Sequence, residues 1–306
     1  MMRPMGSFFL RSKARLGCAF ALAALGMALS AIGCSGDNSV AQPSDAGTDV
    51  TASDAGANDA ATDGIVGSGF GTGSIFVYST DLGFQLGAAF FVGDPFACMS
   101  TTDGACIITP PCNPQGTLMR VGAGTLTFSG GKLASPATLV PAEDDNYVNF
   151  SNTPAAFMGG ETFEVSAVGD RGGVSTFDQT LIAPDFPTLT SPMIAGDGGT
   201  SLDRITIDRS QPFTVTWTPT QHADVEVYFI SPNGTNVACV YPATAGTATI
   251  PSSALMHLNV GANGVFGVQG HSAKTFDGGG YKIRWVITAG DANTSSKHLR
   301  ADANFK

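Results

Sequence analysis

The stretch Tyr281-Lys-Ile-Arg-Trp-Val-Ile287 decides the fold class of this chain. Its apolar side chains recur at every second position, and the basic side chains of Lys282 and Arg284 stand between them. Alternation with a period of two is typical of a strand with one buried and one wet face, as in an antiparallel sheet. The pattern therefore predicts a strand whose inward side chains are Tyr281, Ile283, Trp285 and Ile287.

The same alternation recurs on the N-terminal side of this stretch. It is clearest in residues 125–128, 162–168, 213–217 and 225–229. Clusters of Gly, Pro, Asp and Asn separate the runs at short intervals, which favours sandwiches or barrels. Helical periodicity is confined to one or two turns after Pro251. We expect an all-β chain with two antiparallel β-sandwich-like domains, although about 240 residues after the linker also suffice for one large sandwich.

Shifts in composition divide the chain into four parts. Residues 1–33 are predicted to be a lipoprotein signal peptide, and residues 34–66 a disordered linker rich in Asp, Ala, Gly and Thr. Residues 67–188 form the first predicted β domain and residues 189–306 the second. Three prolines mark the junction between them: Pro184, Pro187 and Pro192.

The first part has the layout of an export signal. Four basic residues and no acidic residue accompany an apolar run, residues 16–33, that is rich in Ala and Leu and ends in small residues. The run is near the lower length limit of a membrane-spanning helix, so a retained N-terminal anchor is the main alternative. Cys18 lies inside the run and is predicted to be removed with it.

The linker is predicted to be a self-repelling spacer. Ser44-Asp45-Ala46-Gly47 recurs at residues 53–56, and Asp residues are spread through a stretch without aromatic side chains. Such a segment cannot bury enough surface to offset the entropy lost on ordering. A calcium loop of the EF-hand kind is the alternative, but the Asp spacing is too wide and the closing Glu is absent.

The charge balance argues against nucleic acid as a partner. Without the signal peptide, the chain keeps 11 of its 15 Lys and Arg residues and all 25 Asp and Glu residues. A surface with this negative excess repels phosphate backbones and anionic lipid headgroups.

Four cysteines besides Cys34 would remain in an exported chain: Cys98, Cys106, Cys112 and Cys239. An oxidising location favours two disulfides, for which three connectivities are possible. We favour one local bridge within residues 98–112 and a second bridge to Cys239 that ties the two β regions together. A zinc site with these thiols is the alternative, but their spacing does not match zinc-binding patterns.

Motifs for catalysis are weak throughout the chain. His222-Ala-Asp224 places imidazole and carboxylate in one predicted loop, and Gly270-His271-Ser272 resembles a nucleophile elbow without its final Gly. Asp144-Asp145 is a carboxylate pair in a predicted turn, where solvated acids are common. A catalytic triad assembled in space is not recognisable from residue order. We therefore predict no catalytic residue, no metal site and no cofactor.

Three resemblances extend this interpretation. Ala31-Ile32-Gly33-Cys34 resembles the bacterial lipobox, with Ala31 where that motif has Leu, and this implies a lipid on Cys34. The alternative is an ordinary thiol beside a conventional cleavage site. The second predicted domain resembles immunoglobulin and fibronectin-III-like cell-surface modules in the order of its strands, including the one that carries Trp217 and the one at residues 280–284. The whole layout is similar to lipoproteins of myxobacteria-type genomes.

These patterns predict an envelope-anchored lipoprotein that acts as a non-catalytic binding or structural module. The membrane, through the lipid on Cys34, and an envelope polysaccharide or protein are the expected partners. Ser35 after the lipidated cysteine favours the outer membrane. Tyr228 or Tyr281 would stack on sugar rings if exposed, whereas core packing is the simpler expectation for both. A secreted hydrolase of envelope or extracellular polymers and an adhesion or assembly subunit are the alternatives.

Overall fold

The computed structural model describes residues 71–80, 83–93, 100–111, 119–151, 155–194, 204–290 and 299–306. The predicted signal peptide, Cys34 and the predicted linker lie outside these residues, as do Cys98 and Cys112. Within the described ranges the regular secondary structure is almost entirely β, as predicted. The one α-helix found there, α1, spans Ser252–Leu255, where Pro251 predicted a helical turn.

The strands follow one another closely along the chain. Their bounds are β1 Gly71–Ser79, β2 Phe84–Val92, β3 Thr101–Asp103, β4 Cys106–Thr109, β5 Met119–Arg120, β6 Leu126–Gly130, β7 Ala137–Leu139, β8 Tyr147–Ser151, β9 Thr162–Ala167, β10 Phe177–Ile182, β11 Leu189–Ser191, β12 Arg204–Ile207, β13 Phe213–Trp217, β14 Asp224–Ile230, β15 Asn236–Pro242, β16 Thr247–Ile250, β17 Gly261–Asp277, β18 Tyr281–Ala289 and β19 Arg300–Phe305.

Twelve of these strands form one large mixed sheet. Its main order is β3-β4-β15-β14-β17-β18-β1-β2-β5, with β8 beside β2, β19 beside β17 and β12 beside β19. The pairs β1–β18 and β12–β19 are parallel. The prediction of antiparallel sheets alone is therefore wrong at these two pairs, because side-chain alternation defines the faces of a strand and leaves the direction of its neighbour open.

The sheet branches at β17, which is 17 residues long. One edge of β17 pairs with β14 through residues 265–271. The other edge pairs first with β19, through residues 261–267, and then with β18, through residues 270–277. A single strand therefore belongs to both halves of the molecule.

Two smaller sheets cover the same face of the large sheet. The sheet β10-β9-β6-β7 encloses one core, and the sheet β11-β13-β16 encloses another. Val268 belongs to the second core and Phe276 packs on the first, and their even separation along β17 places both on one face. The largest fully buried side chains of the first core are Tyr147, Trp285, Phe90, Phe128, Phe157 and Phe163, and large side chains of the second core are Trp217, Phe229, Phe266 and Phe305.

The prediction of two immunoglobulin-like sandwiches is thus only partly correct. Each core has two β-layers, but one layer of each comes from the same continuous sheet. Strands also pair across the boundary predicted between residues 188 and 189, since β4 pairs with β15 and β1 pairs with β18. That boundary stays a prediction.

Gly270 lies on β17 between the two cores. A Cβ atom on Gly270 would come within 2.1 Å of the Asp185 carbonyl oxygen and 3.1 Å of the Pro184 Cβ. The segment that leads from β10 to β11 therefore crosses the large sheet at this point, and only a residue without a side chain leaves it room.

The hairpin between β14 and β15 forms where Asn233-Gly234 predicts one. Gly234 has a φ of 92°, but Asn233 is not among the residues of positive φ. A type I′ turn, which an Asn-Gly pair commonly forms, needs positive φ at both central residues, so this hairpin has another turn type. The Gly234 amide donates to the Ser231 carbonyl instead, and the Asn233 side chain accepts from the Ser231 hydroxyl.

A disulfide joins Cys106 on β4 to Cys239 on β15. The two residues are direct cross-strand partners, with their Cα atoms 3.9 Å apart. This is the bridge between the two β regions that the sequence favoured. The local bridge predicted within residues 98–112 stays a prediction, because Cys98 and Cys112 lie outside the described residues.

Replacing both bridged cysteines, as Cys106→Ala with Cys239→Ala, is expected to lower the free energy of unfolding by about 4–5 kcal/mol, because the bridge closes a long loop in the unfolded chain. The two cysteines are 133 positions apart. Urea denaturation followed by tryptophan fluorescence measures the loss. Each single replacement also breaks the bridge and serves as a matched variant. If the single and double variants are as stable as the native chain, this bridge does not stabilise the fold.

Candidate functional site

The face of the large sheet opposite the two cores carries a buried group of polar side chains, which we call the polar cluster: Glu226, Gln269, His271 and Arg284. Val225 and Val227 on β14 point into the second core, so alternation turns Glu226 to the opposite face. The strand register places Gln269 directly across from Glu226 on β17.

Glu226 is the centre of the polar cluster. The Gln269 side-chain amide donates a hydrogen bond to Glu226 Oε2. His271 Nδ1 lies 3.5 Å from the same oxygen, an ion-pair distance, and has no hydrogen-bond partner among the described residues. Glu226 is 8% exposed and His271 is 4% exposed. An ionisable pair is therefore enclosed on a face that alternation predicts to be wet.

Opposing effects set the charge of Glu226. Burial alone raises the pKa of a carboxyl group, since it penalises the charged form. The charge of His271, the hydrogen bond from Gln269 and the charge of Arg284 outweigh that effect and lower the pKa of Glu226 to about 2. Glu226 is therefore ionised at neutral pH, and burial lowers the pKa of Arg284 beside it.

Tyr228 and Arg300 adjoin the polar cluster on the next cross-strand row. Tyr228 lies opposite Gly267, and Gly267 pairs with Arg300 on the other side. Burial raises the pKa of Tyr228. Its ring lies over Gly267, where a Cβ atom would meet the ring at 2.1 Å. Tyr228 is thus packed within the protein, and its exposed stacking on sugar rings is not supported. Tyr281 is likewise packed against the first core.

A second ionisable pair lies between the halves of the molecule, on the core side. Asp185 comes from the segment that crosses Gly270, and His222 comes from the loop before β14. His222 Nδ1 lies 3.1 Å from Asp185 Oδ2, and the same oxygen accepts from the backbone amides of Gln221 and His222. Burial raises the pKa of Asp185, but the hydrogen bonds and charge of His222 outweigh this and lower it.

The structure separates several residues that the sequence motifs grouped together. His222 pairs with Asp185, 37 positions earlier, a partner that the His222-Ala-Asp224 motif did not indicate. His271 and Ser272 lie in the middle of β17, and no strand-to-helix elbow exists there. Asp144 forms a 2.7 Å ion pair with Arg120, the ordinary surface role that was the simpler interpretation.

Sequence reasoning overlooked Glu226. The one signal was an acidic residue between two valines in a strand, and the simplest interpretation of that pattern is a solvated outer face. Burial of that face depends on what surrounds the sheet, which alternation does not reveal. Among the described residues, no three His, Cys, Asp or Glu side chains come together as a metal site.

No protein-family model matches the chain, and no curated protein matches it. The resemblances to immunoglobulin-like modules and to bacterial lipoproteins therefore stay predictions. The disulfide indicates a location outside the cytoplasm, because such bonds persist in oxidising compartments. The described residues contain no helix long and apolar enough to cross a membrane.

Glu226→Gln is expected to remove an acid-dependent part of the stability. A carboxyl group whose pKa is lowered on folding stabilises the native state above its unfolded pKa, and this contribution is lost as the pH falls towards the folded value. For Glu226 that window runs from the ordinary pKa of a glutamate side chain, 4.5, down to about 2. The native chain should thus exceed the variant in stability near neutral pH, and the difference should shrink with acid.

Urea denaturation at about pH 6, about pH 4 and about pH 3 measures this difference across the titration. Glu143→Gln is the matched control, since Glu143 is exposed on a turn. A gap between the native chain and Glu226→Gln that stays constant over this range would contradict the ionised state assigned to Glu226.

Proposed function

We propose that the chain is an exported lipoprotein whose β-structure serves as a non-catalytic binding or structural module of the cell envelope. The Cys106–Cys239 disulfide carries this proposal, because a cross-strand bridge between the two β regions requires an oxidising compartment. The export signal at residues 1–33 supplies the route to such a compartment, and Cys34 supplies the attachment point.

The two buried or half-buried ionisable pairs support a structural role for the histidines. His271 faces a carboxylate inside the sheet, and His222 joins a crossing segment to a loop. Both imidazoles hold parts of the fold together in these positions. The acidic surface fits a partner that is uncharged or basic, such as an envelope polysaccharide or a protein.

Cys34→Ala is expected to abolish lipid attachment and to release the exported chain from the membrane fraction. Several acyl chains on one cysteine give stable anchoring, whereas an unmodified chain has none of that affinity. Labelling with an alkyne fatty acid, followed by fractionation, measures both effects. Cys18→Ala is the control and should remain labelled and membrane-bound, because Cys18 lies in the predicted signal peptide.

Continued membrane association of Cys34→Ala, without label, would instead support a retained N-terminal helix as the anchor. That outcome would contradict the lipoprotein proposal and leave the extracytoplasmic disulfide unaffected.

A binding module should gain thermal stability from its ligand, because a ligand that binds only the native state shifts the unfolding equilibrium. The oxidised Cys34→Ala chain would be heated with calcium, with zinc and with fragments of envelope polysaccharide in turn. We expect a saturable rise in melting temperature with one polysaccharide and none with either metal. No rise with any saccharide would contradict saccharide binding and direct the search to protein partners.

The Asp185–His222 pair supports the hydrolase alternative. A half-exposed imidazole whose Nδ1 faces a carboxylate has the orientation of a general base. If the chain is a hydrolase, His222→Ala should abolish clearing in gels that contain cell-wall polymer, and His257→Ala should not. Equal behaviour of the native chain and His222→Ala would exclude this pair from catalysis.

A further inference from the structure

The Cys106–Cys239 disulfide selects one of the three connectivities that four cysteines allow. With Cys106 bonded to Cys239, a second bridge among the four cysteines can only join Cys98 to Cys112. This connectivity passes over the nearest neighbours of Cys106 in the sequence, since Cys98 lies eight positions before it and Cys112 lies six positions after it. The native bridge spans 133 positions instead.

Loop statistics favour the near neighbours of Cys106 while the chain is unfolded. The chance that two residues of a flexible chain meet falls with the three-halves power of their separation. By this relation, Cys106 meets either near neighbour roughly 70-fold to 100-fold more often than it meets Cys239. Cys239 is also synthesised after the other three cysteines. The first bridge that oxidation places on Cys106 is therefore expected to be a local one.

In the folded chain, Cys106 is enclosed between two strands. Its cross-strand partners are Asp103 on β3 and Cys239 on β15, and the β3–β4 hairpin joins the main strand order of the large sheet through β15. Both cysteines of the bridge are buried in the second core, with 1% of Cys106 and 0% of Cys239 exposed. A reagent therefore has no access to either sulfur atom once β4 has paired with β15. Any exchange at Cys106 has to precede that pairing.

We propose that a thiol–disulfide isomerase of the oxidising compartment acts on Cys106 before the β3–β4 hairpin joins β15. The isomerase is the partner that replaces a local bridge with the native one, and the hairpin then encloses the product. This proposal goes beyond the envelope role, because it concerns how the chain matures. It rests on the disulfide and on the order of the cysteines, and it does not depend on a lipid at Cys34.

The bonds change in three steps. A disulfide oxidant accepts two electrons and two protons from the thiols of Cys106 and one near neighbour, becomes a dithiol and leaves a local bridge. A thiolate of the isomerase then attacks the Cys106 sulfur atom, forms a mixed disulfide and expels the neighbour as a thiolate. The Cys239 thiolate finally attacks the Cys106 sulfur atom and expels the isomerase thiolate. The proton lost by Cys239 is taken up by the expelled neighbour, so the last two steps need no further oxidant.

The experiment maps disulfides during refolding of the full chain with Cys18→Ala and Cys34→Ala, so that only the other four cysteines react. The reduced chain is diluted from urea into diamide, an oxidant that leaves no free thiol, or into a mixture of reduced and oxidised glutathione, whose thiolate takes the role of the isomerase. Acid-quenched samples are digested with pepsin, and the bridged peptides are identified by mass spectrometry. We expect Cys106–Cys239 in fewer than about one molecule in ten with diamide, and in most molecules with glutathione.

The matched control is the same chain with Cys98→Ser and Cys112→Ser, which lacks the competing thiols. It should form Cys106–Cys239 to the same extent with either reagent. If the four-cysteine chain gives as much of this bridge with diamide as the control does, no exchange is needed and the proposal is overturned.

Two other results would also overturn the proposal. One is the persistence of local bridges on Cys106 in glutathione, because exchange would then not lead to the native bridge. The other is a control that forms no Cys106–Cys239 bridge with either reagent, because the final pairing would then not occur even without competing thiols. Neither chain carries Cys34, so these outcomes are independent of lipid attachment, which the fractionation of Cys34→Ala tests separately.

Discussion

The structure depends on the hydrogen-bond pairing of β17. One edge of this strand pairs with two different strands in succession. Residues 261–267 bond to β19 and residues 270–277 bond to β18. Because both neighbours are part of the same sheet, the two cores share a layer. Gly270 marks the change, where the chain leading to β11 crosses the sheet and leaves no room for a side chain. The disulfide adds a second constraint by tying β4 to β15 at the far side of the sheet.

The charged side chains of the branch illustrate what burial does to a polar face. A buried carboxylate is unfavourable unless cations and hydrogen-bond donors surround it. Glu226 meets this requirement through Gln269 and His271 on β17, which pairs with β14, and through Arg284 on β18, the next strand beyond β17. The pairing of β14, β17 and β18 thus brings the compensating groups together around Glu226.

The second ionisable pair connects the halves in a different way. Asp185 accepts two backbone amides and one imidazole nitrogen, so it holds the crossing segment against the loop before β14. Gly160 lies under the His222 ring, where a Cβ atom would come within 2.7 Å of Nε2. The loop before β9, the crossing segment and the loop before β14 thus meet at one histidine. This arrangement is consistent with a module whose polar chemistry maintains its shape.

The sequence by itself determined which side chains face inward on most strands, since alternation with a period of two is a local property of the backbone. It also indicated that the cysteines form disulfides, because that chemistry depends on compartment and count. Which strands pair and which distant side chains meet was decided only in the tertiary structure. The parallel pairs, the shared layer, the Asp185–His222 contact and the burial of Glu226 all join residues far apart in the chain. Such contacts depend on which strand edges meet, and the pattern of one strand contains no information about its neighbour.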